Sequence, residues 1–179
     1  MSNVSTSLLT RIVIFAVLVA IFFWLYQDPK RDESGSIIEP GNIAPLELFA
    51  GDCYIEGFAL EEGEYADTAN SVDAVPCSAL HNNEVIGTFQ GLSWSKEDFL
   101  NKDAWDELSE KCIAESITYT SLTGDSDEND VNMFDSKYRM NITYTPLGTS
   151  DEPDPNQKFS CIISNMSEMT KTSVRNYFG

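Results

Sequence analysis

Four cysteines, one histidine and a large excess of carboxylates are the residues of this chain that could do chemistry. Cys53, Cys77, Cys112 and Cys161 are even in number and widely spaced. A zinc site draws on close pairs such as C-x-x-C, and none occurs. The cysteines therefore read as two disulfides of an exported domain, with their connectivity left open by spacing alone. His81 precedes Glu84 by three residues. Such a pair can move protons, yet acid/base work needs a reacting partner, and only Ser78 offers a hydroxyl close in sequence. The plainer role for His81 is a turn residue whose ring bonds to backbone near Cys77. The run Asp125-Ser126-Asp127-Glu128-Asn129-Asp130 opens like a calcium loop. An EF-hand needs Gly at its sixth position and Glu at its twelfth, where this chain has Asp130 and Ser136. A solvated acidic loop is the expectation. No P-loop, dinucleotide fingerprint, G-x-S-x-G elbow or haem-attachment motif is present. Asn3, Asn141 and Asn165 begin glycosylation-type triplets to which no role is assigned. Catalytic residues, metal ligands and cofactors are thus all expected to be none.

The stretch that decides the setting of these residues is apolar. Residues 12–26 read IVIFAVLVAIFFWLY without a charge. Extended back to Leu8, the run has nineteen residues and rises about 28 Å as a helix, close to the hydrocarbon thickness of a bilayer. Arg11 can snorkel to the headgroups, and Trp24 and Tyr26 suit the opposite interface. A cleaved signal peptide fits less well, because Leu18-Val19-Ala20 is a poor cleavage site and the apolar run continues past it. The expectation is a single-pass anchor at 11–27, preceded by a cytoplasmic tail at 1–10. Arg11 on one flank against Lys30 and Arg31 on the other favours the C-terminal side inside. The cysteines argue for the reverse, and N-inside, C-outside is adopted.

From Asp32 onward the chain carries 8 Lys+Arg and 28 Asp+Glu, a net charge of −20. Repulsion excludes nucleic acid and disfavours anionic lipid surfaces as partners of this part. It suits a solvated extracytoplasmic domain, or one that faces a basic partner or divalent cations.

The elements that must position the cysteines follow from the pattern. Pro29 ends the anchor, and 28–47 reads as a linker without periodicity. Short strands are expected around Cys53 and at 73–77, and a longer one at 84–90 with Val85, Gly87 and Phe89 on one face. Residues 60–70 read as an acidic loop. Ser95 and Asp98 resemble a capping box that opens a helix. Leu100, Ala104, Leu108 and Cys112 then form an apolar stripe at spacings of four, and the helix is expected to end near 114–116. Residues 117–122 read as a strand. Residues 138–144 and 158–164 alternate cleanly and read as neighbouring antiparallel strands joined by a loop at 146–157. The tail, 167–179, reads as polar and mobile, with Tyr177 and Phe178 able to dock.

Gly51-Asp52-Cys53-Tyr54, followed by Val75-Pro76-Cys77-Ser78, His81, Glu84-Val85 and Gly87, resembles the extracytoplasmic domain of the actinobacterial septum formation family. A helix with Cys112, then Tyr144-x-Pro146, then a strand with Cys161 agree in order. The resemblance covers 48–164. The Trp and Gly-Asp-Arg-like turn that the family has before its last cysteine are missing from 151–158. The resemblance implies a small α+β fold over 48–166, an antiparallel sheet packed with one main helix. It also implies disulfides in chain order, Cys53–Cys77 and Cys112–Cys161.

The function expected is a non-catalytic, membrane-anchored accessory subunit of a larger actinobacterial membrane complex, with the respiratory cytochrome bcc–cytochrome oxidase supercomplex as the specific case. Its partners would be integral membrane subunits through the anchor, the lipid bilayer, and a basic extracytoplasmic protein facing the acidic domain. The alternative, implied by the family name, is a cell-division or envelope factor acting through protein contacts.

Overall fold

The computed structural model describes residues 10–19, 27–55, 71–126, 128–144 and 157–179. In chain order the elements are helix α1 (residues 10–19), strands β1 (Lys30–Arg31), β2 (Ile37–Glu39) and β3 (Gly41–Ile43), and a 3-10 turn at Pro45–Glu47. Strands β4 (Cys53–Ile55), β5 (Val72–Val75) and β6 (Asn83–Gln90) follow. Helices α2 (Lys96–Leu100), α3 (Lys102–Thr120) and α4 (Glu128–Lys137) come next, then β7 (Tyr138–Tyr144) and β8 (Lys158–Asn165). The fold is α+β. Six strands form one antiparallel sheet in the order β3-β5-β4-β6-β8-β7, and β1 and β2 form a separate hairpin.

Both faces of the sheet are covered. All eight residues of β8 are buried, as a central strand between two layers requires. One face carries Phe159, Cys161 and Ile163 toward α3, joined by Met140 and Ile142 of β7. The other face carries Tyr54, Val72, Ala74, Val85 and Ile162, closed over by Ile37 of β2 and Leu48. The alternation expected at 138–144 and 158–164 thus produces neighbouring antiparallel strands.

Strand β6 departs from simple alternation. Its register against β8 shifts between Val85 and Gly87, so one extra residue is inserted. Val85 packs on the β2 side, whereas Gly87 lies under Glu115 of α3 and Phe89 packs with α3 and β8. The single face expected for Val85, Gly87 and Phe89 is therefore split by a bulge. A Cβ on Gly87 would approach Glu115 Cγ to 3.0 Å, so the bare backbone lets the helix lie close.

The capping box forms as read. Asp98 N–H donates to Ser95 Oγ, and Asp98 Oδ2 accepts from Ser95 N–H at 2.7 Å. The helix it opens is short, because the chain breaks at Asn101, whose side chain caps α3 by accepting from Asp103 N–H. The break corrects the expected stripe. Leu108 and Cys112 are buried, but Leu100, on the far side of the break, is 82% exposed. A second correction is the end of α3, which runs on to Thr120 through residues expected to form a strand. Thr118 and Thr120 hydroxyls donate to the Ala114 and Ser116 carbonyls at 3.0 and 2.8 Å. These bonds satisfy the β-branched hydroxyls inside the helix. Trp94 packs edge-on to Phe99 and Trp105, with ring centroids at 5.3 and 4.9 Å, and locks α2 to α3.

The expected linker, 28–47, is part of the fold, which is the third correction. β3 pairs with β5 at the sheet edge, and Asn42 N–H donates to Gln27 O at 2.9 Å. The backbone of 27–29 crosses Gly41 so closely that a Cβ there would meet Gln27 O at 2.3 Å. Arg31 forks onto buried Asp52 with two contacts of 2.6 Å, and the cations of Arg31 and Lys158 each lie over the Phe49 ring, 5.0 and 5.2 Å from its centroid. Lys158 donates to the Leu46 and Leu48 carbonyls. Burial pushes its ammonium pKa down from the ordinary value.

Among the described residues no helix is long and apolar enough to cross a membrane. α1 covers the first part of the expected anchor, and 20–26 lie outside the described residues, as do 1–9. The acidic stretch expected as a loop at 60–70 and most of the loop expected at 146–157 also lie outside them.

Candidate functional site

The two disulfides join Cys53 to Cys77 and Cys112 to Cys161, and no described cysteine is free. Cys112 and Cys161 are fully buried between α3 and β8. The bond thus staples the main helix to the central strand. Cys53 is buried at the start of β4, while Cys77 is half-buried in the turn after β5. Their bond borders a pocket of about 200 Å³ lined also by Ile37, Gly51, Tyr119 and Arg175.

Glu84 stands beside this bond. One of its carboxylate oxygens and the two sulfurs lie within 4.8 Å of one another. The sulfurs are bonded to each other and offer no thiolate to an ion, so this trio is not a ligand set as it stands. Glu84 is 2% exposed. A buried carboxylate must be met by donors, and three meet it. Tyr119 OH donates to Oε1 at 2.5 Å, Ser173 OH donates to the same oxygen, and Val174 N–H donates to Oε2 at 2.8 Å. Burial first, and then the Glu84 charge, push the Tyr119 phenol well above its ordinary value. The Arg175 guanidinium stacks over the Tyr119 ring at 4.9 Å and closes the group on its outer side.

His81 is 2% exposed and takes a different part. Its backbone exchanges two hydrogen bonds with Thr170, at 2.9 and 2.8 Å. Its Nδ1 lies 2.9 Å from the Ala79 carbonyl. A carbonyl only accepts, so Nδ1 carries the proton. Ser78 is exposed in the Cys77 turn. His81 and Glu84 therefore each bind their own set of partners: His81 the local turn and the C-terminal segment, Glu84 the C-terminal segment and Tyr119 of α3. In the Glu84 network the Ser173 hydroxyl lines the pocket, but it donates its proton to the Glu84 carboxylate.

Thr170, Ser173, Val174 and Arg175 come from the segment expected to be a mobile tail, a fourth correction. Val174 is 2% exposed. Asn176 N–H and Phe178 N–H donate to the Tyr119 and Thr120 carbonyls at 2.9 and 3.0 Å, capping the end of α3. Tyr177 and Phe178 dock against Phe134 as their aromatic character allowed. Tyr119 and these tail residues have no signature in the sequence around Glu84. The available sign was a lone glutamate inside a buried apolar strand with no cation near it.

The acidic run 125–130 divides. Asp125 is exposed in a turn, Asp127 lies outside the described residues, and Glu128 starts α4. Among the described residues no carboxylate of this run joins a cluster of three possible ligands. Asn141 lies in β7, Asn165 is buried at the end of β8, and Asn3 lies outside the described residues. Compared with family models, curated proteins and solved structures, the chain matches none.

Proposed function

We propose that the chain is a non-catalytic, membrane-anchored accessory subunit of a larger actinobacterial membrane complex, specifically the respiratory cytochrome bcc–cytochrome oxidase supercomplex. Residues 11–27 anchor it to integral membrane subunits and lipid, with the N-terminus cytoplasmic and the disulfide-bonded domain outside. The observation that carries the reading is α1. Ile12, Val13, Ile14, Phe15, Val17 and Leu18 occur on all sides of this helix, and each is more than half exposed. Covering an aliphatic or aromatic side chain is worth roughly 1.5–3 kcal/mol. Leaving six half-covered forgoes on the order of 5–10 kcal/mol, which lipid or neighbouring helices would recover.

Three further points support it. The two disulfides suit an oxidising compartment. The net charge of −20 from Asp32 onward gives the domain a field that attracts a basic extracytoplasmic protein. His81 and Glu84, the best candidates for proton transfer, are both engaged in holding the C-terminal segment. The test is purification of the full chain from membranes in a mild detergent, with identification of co-purifying subunits. Respiratory subunits in fixed ratio are expected, and deletion of residues 32–179 is expected to alter the composition of the complex. Purification of the chain alone, or an unchanged complex after the deletion, overturns the proposal.

A further inference from the structure

A second recess, of about 250 Å³, lies between α3, α4 and β7. Ile113 and Ile117 of α3 form one wall and remain 49% and 43% exposed. Spaced by four, they stand on one stripe of the helix, ~6 Å apart. Val131 and Phe134 of α4, Met140 of β7 and Phe178 add further apolar lining. Two isoleucines left this open along a preformed apolar trough match the anchors that receive a helix laid into a groove.

Charge selects the kind of helix. α3 and α4 together contain eight carboxylates and three lysines. Of those lysines, Lys102 is paired with Asp106 and Lys111 with Glu107. Asp135 lines the groove. Glu110 and Glu128 are exposed three residues before Ile113 and Val131, on the same helical stripes. Arg139 also lines the groove, but its guanidinium donates to the Asp135 and Tyr138 carbonyls rather than to any of these carboxylates. The result is an apolar floor whose borders carry more carboxylates (Glu110, Glu128 and Asp135) than cations (Lys137 and Arg139). A second copy of this chain, itself at −18, and an anionic lipid surface are both repelled. A helix with one apolar face and Lys or Arg along its margins satisfies both features.

We infer that the groove between α3 and α4 docks a basic amphipathic helix of a partner subunit. The inference rests on the accessory-subunit reading and names the surface through which it acts. Photoreactive benzoylphenylalanine is placed at position 117 of the full chain in membranes, and at Leu80, an exposed apolar residue away from the groove, as the control. After irradiation the crosslinked peptide is sequenced. Position 117 is expected to trap a segment with Lys or Arg flanking an i, i+3, i+4 apolar stripe, and position 80 is not. A crosslink to lipid, to another copy of this chain or to an acidic or unpatterned segment overturns the inference, as does no crosslink at all. In parallel, Ile113→Ser with Ile117→Ser is expected to lower recovery of co-purifying subunits at least tenfold, with the unfolding temperature close to wild type and Leu80→Ser unaffected. Undiminished recovery refutes the groove while leaving the subunit reading intact. Absence of any co-purifying subunit from the wild-type chain counts against the subunit reading itself.

Discussion

Replacing Glu84 with alanine removes the acceptor for three donors at once and is the sharpest perturbation of this fold. The Tyr119 and Ser173 hydroxyls border a pocket, so both can turn toward water. Val174 N–H cannot, because Val174 is 2% exposed. One orphaned buried N–H costs about 1–3 kcal/mol, and losing two hydrogen bonds to a charged acceptor adds about 1–2 kcal/mol after solvation of the hydroxyls. Removing a buried charge returns part of this. The expected net loss is about 3 kcal/mol, or roughly 10 °C in Tm for a domain of this size. Glu84→Gln keeps the shape and one acceptor, and is expected to lose about half as much. Urea unfolding gives the stability, and amide exchange locates the change. Protection of Val174, Asn176 and Phe178 is expected to fall furthest, because these residues reach the body through Glu84 and the end of α3. A loss below about 1 kcal/mol with these amides still protected would show that the tail is held by something else.

Three further outcomes follow from other parts of the molecule. Under native conditions a water-soluble phosphine is expected to open Cys53–Cys77 first, since Cys77 is half-buried beside a pocket, while Cys112–Cys161 persists until unfolding; alkylation and peptide mapping report the order, and simultaneous reduction refutes it. Ser95→Ala removes the side-chain cap of α2 and is expected to cost about 1 kcal/mol in denaturant unfolding, an unchanged midpoint counting against the cap. Burial and the Glu84 charge raise the folded-state pKa of Tyr119 above the ordinary phenol value, so its neutral form contributes stability that is fully present below pH 10 and lost as pH rises above it. Tyr119→Phe is therefore expected to flatten the alkaline fall in Tm, and an equally steep fall in the variant contradicts the assignment.

What the sequence disclosed depended on whether neighbours in space were also neighbours in pattern. β7 and β8 are seven and eight residues long, enough for alternation to declare itself, and the Ser95–Asp98 cap is local by nature. The strands of 28–47 are two or three residues long, too short for any period, so the segment looked like linker. The end of α3 departs from its local pattern because Ile117, Thr118, Tyr119 and Thr120 favour strands on propensity, while tertiary burial of Thr120 and hydroxyl bonds back along the helix keep them helical. The bulge in β6 inverts which residues share a face, and a single inserted residue leaves no compositional mark. The setting of Glu84 was illegible for a similar reason. Its donors lie 35, 89 and 90 residues away along the chain, beyond any motif spacing.

The bond from Asn42 to Gln27 shortens the leash of this protein. Had 28–47 been free, about twenty residues of slack could have carried the globule some 70 Å from its helix. With Gln27 already stitched to the sheet, only residues 20–26 separate it from α1. Eight virtual bonds reach at most about 28 Å even when fully drawn out. The start of the folded domain is then held within about 28 Å of the end of α1, under half of what a free 28–47 would allow.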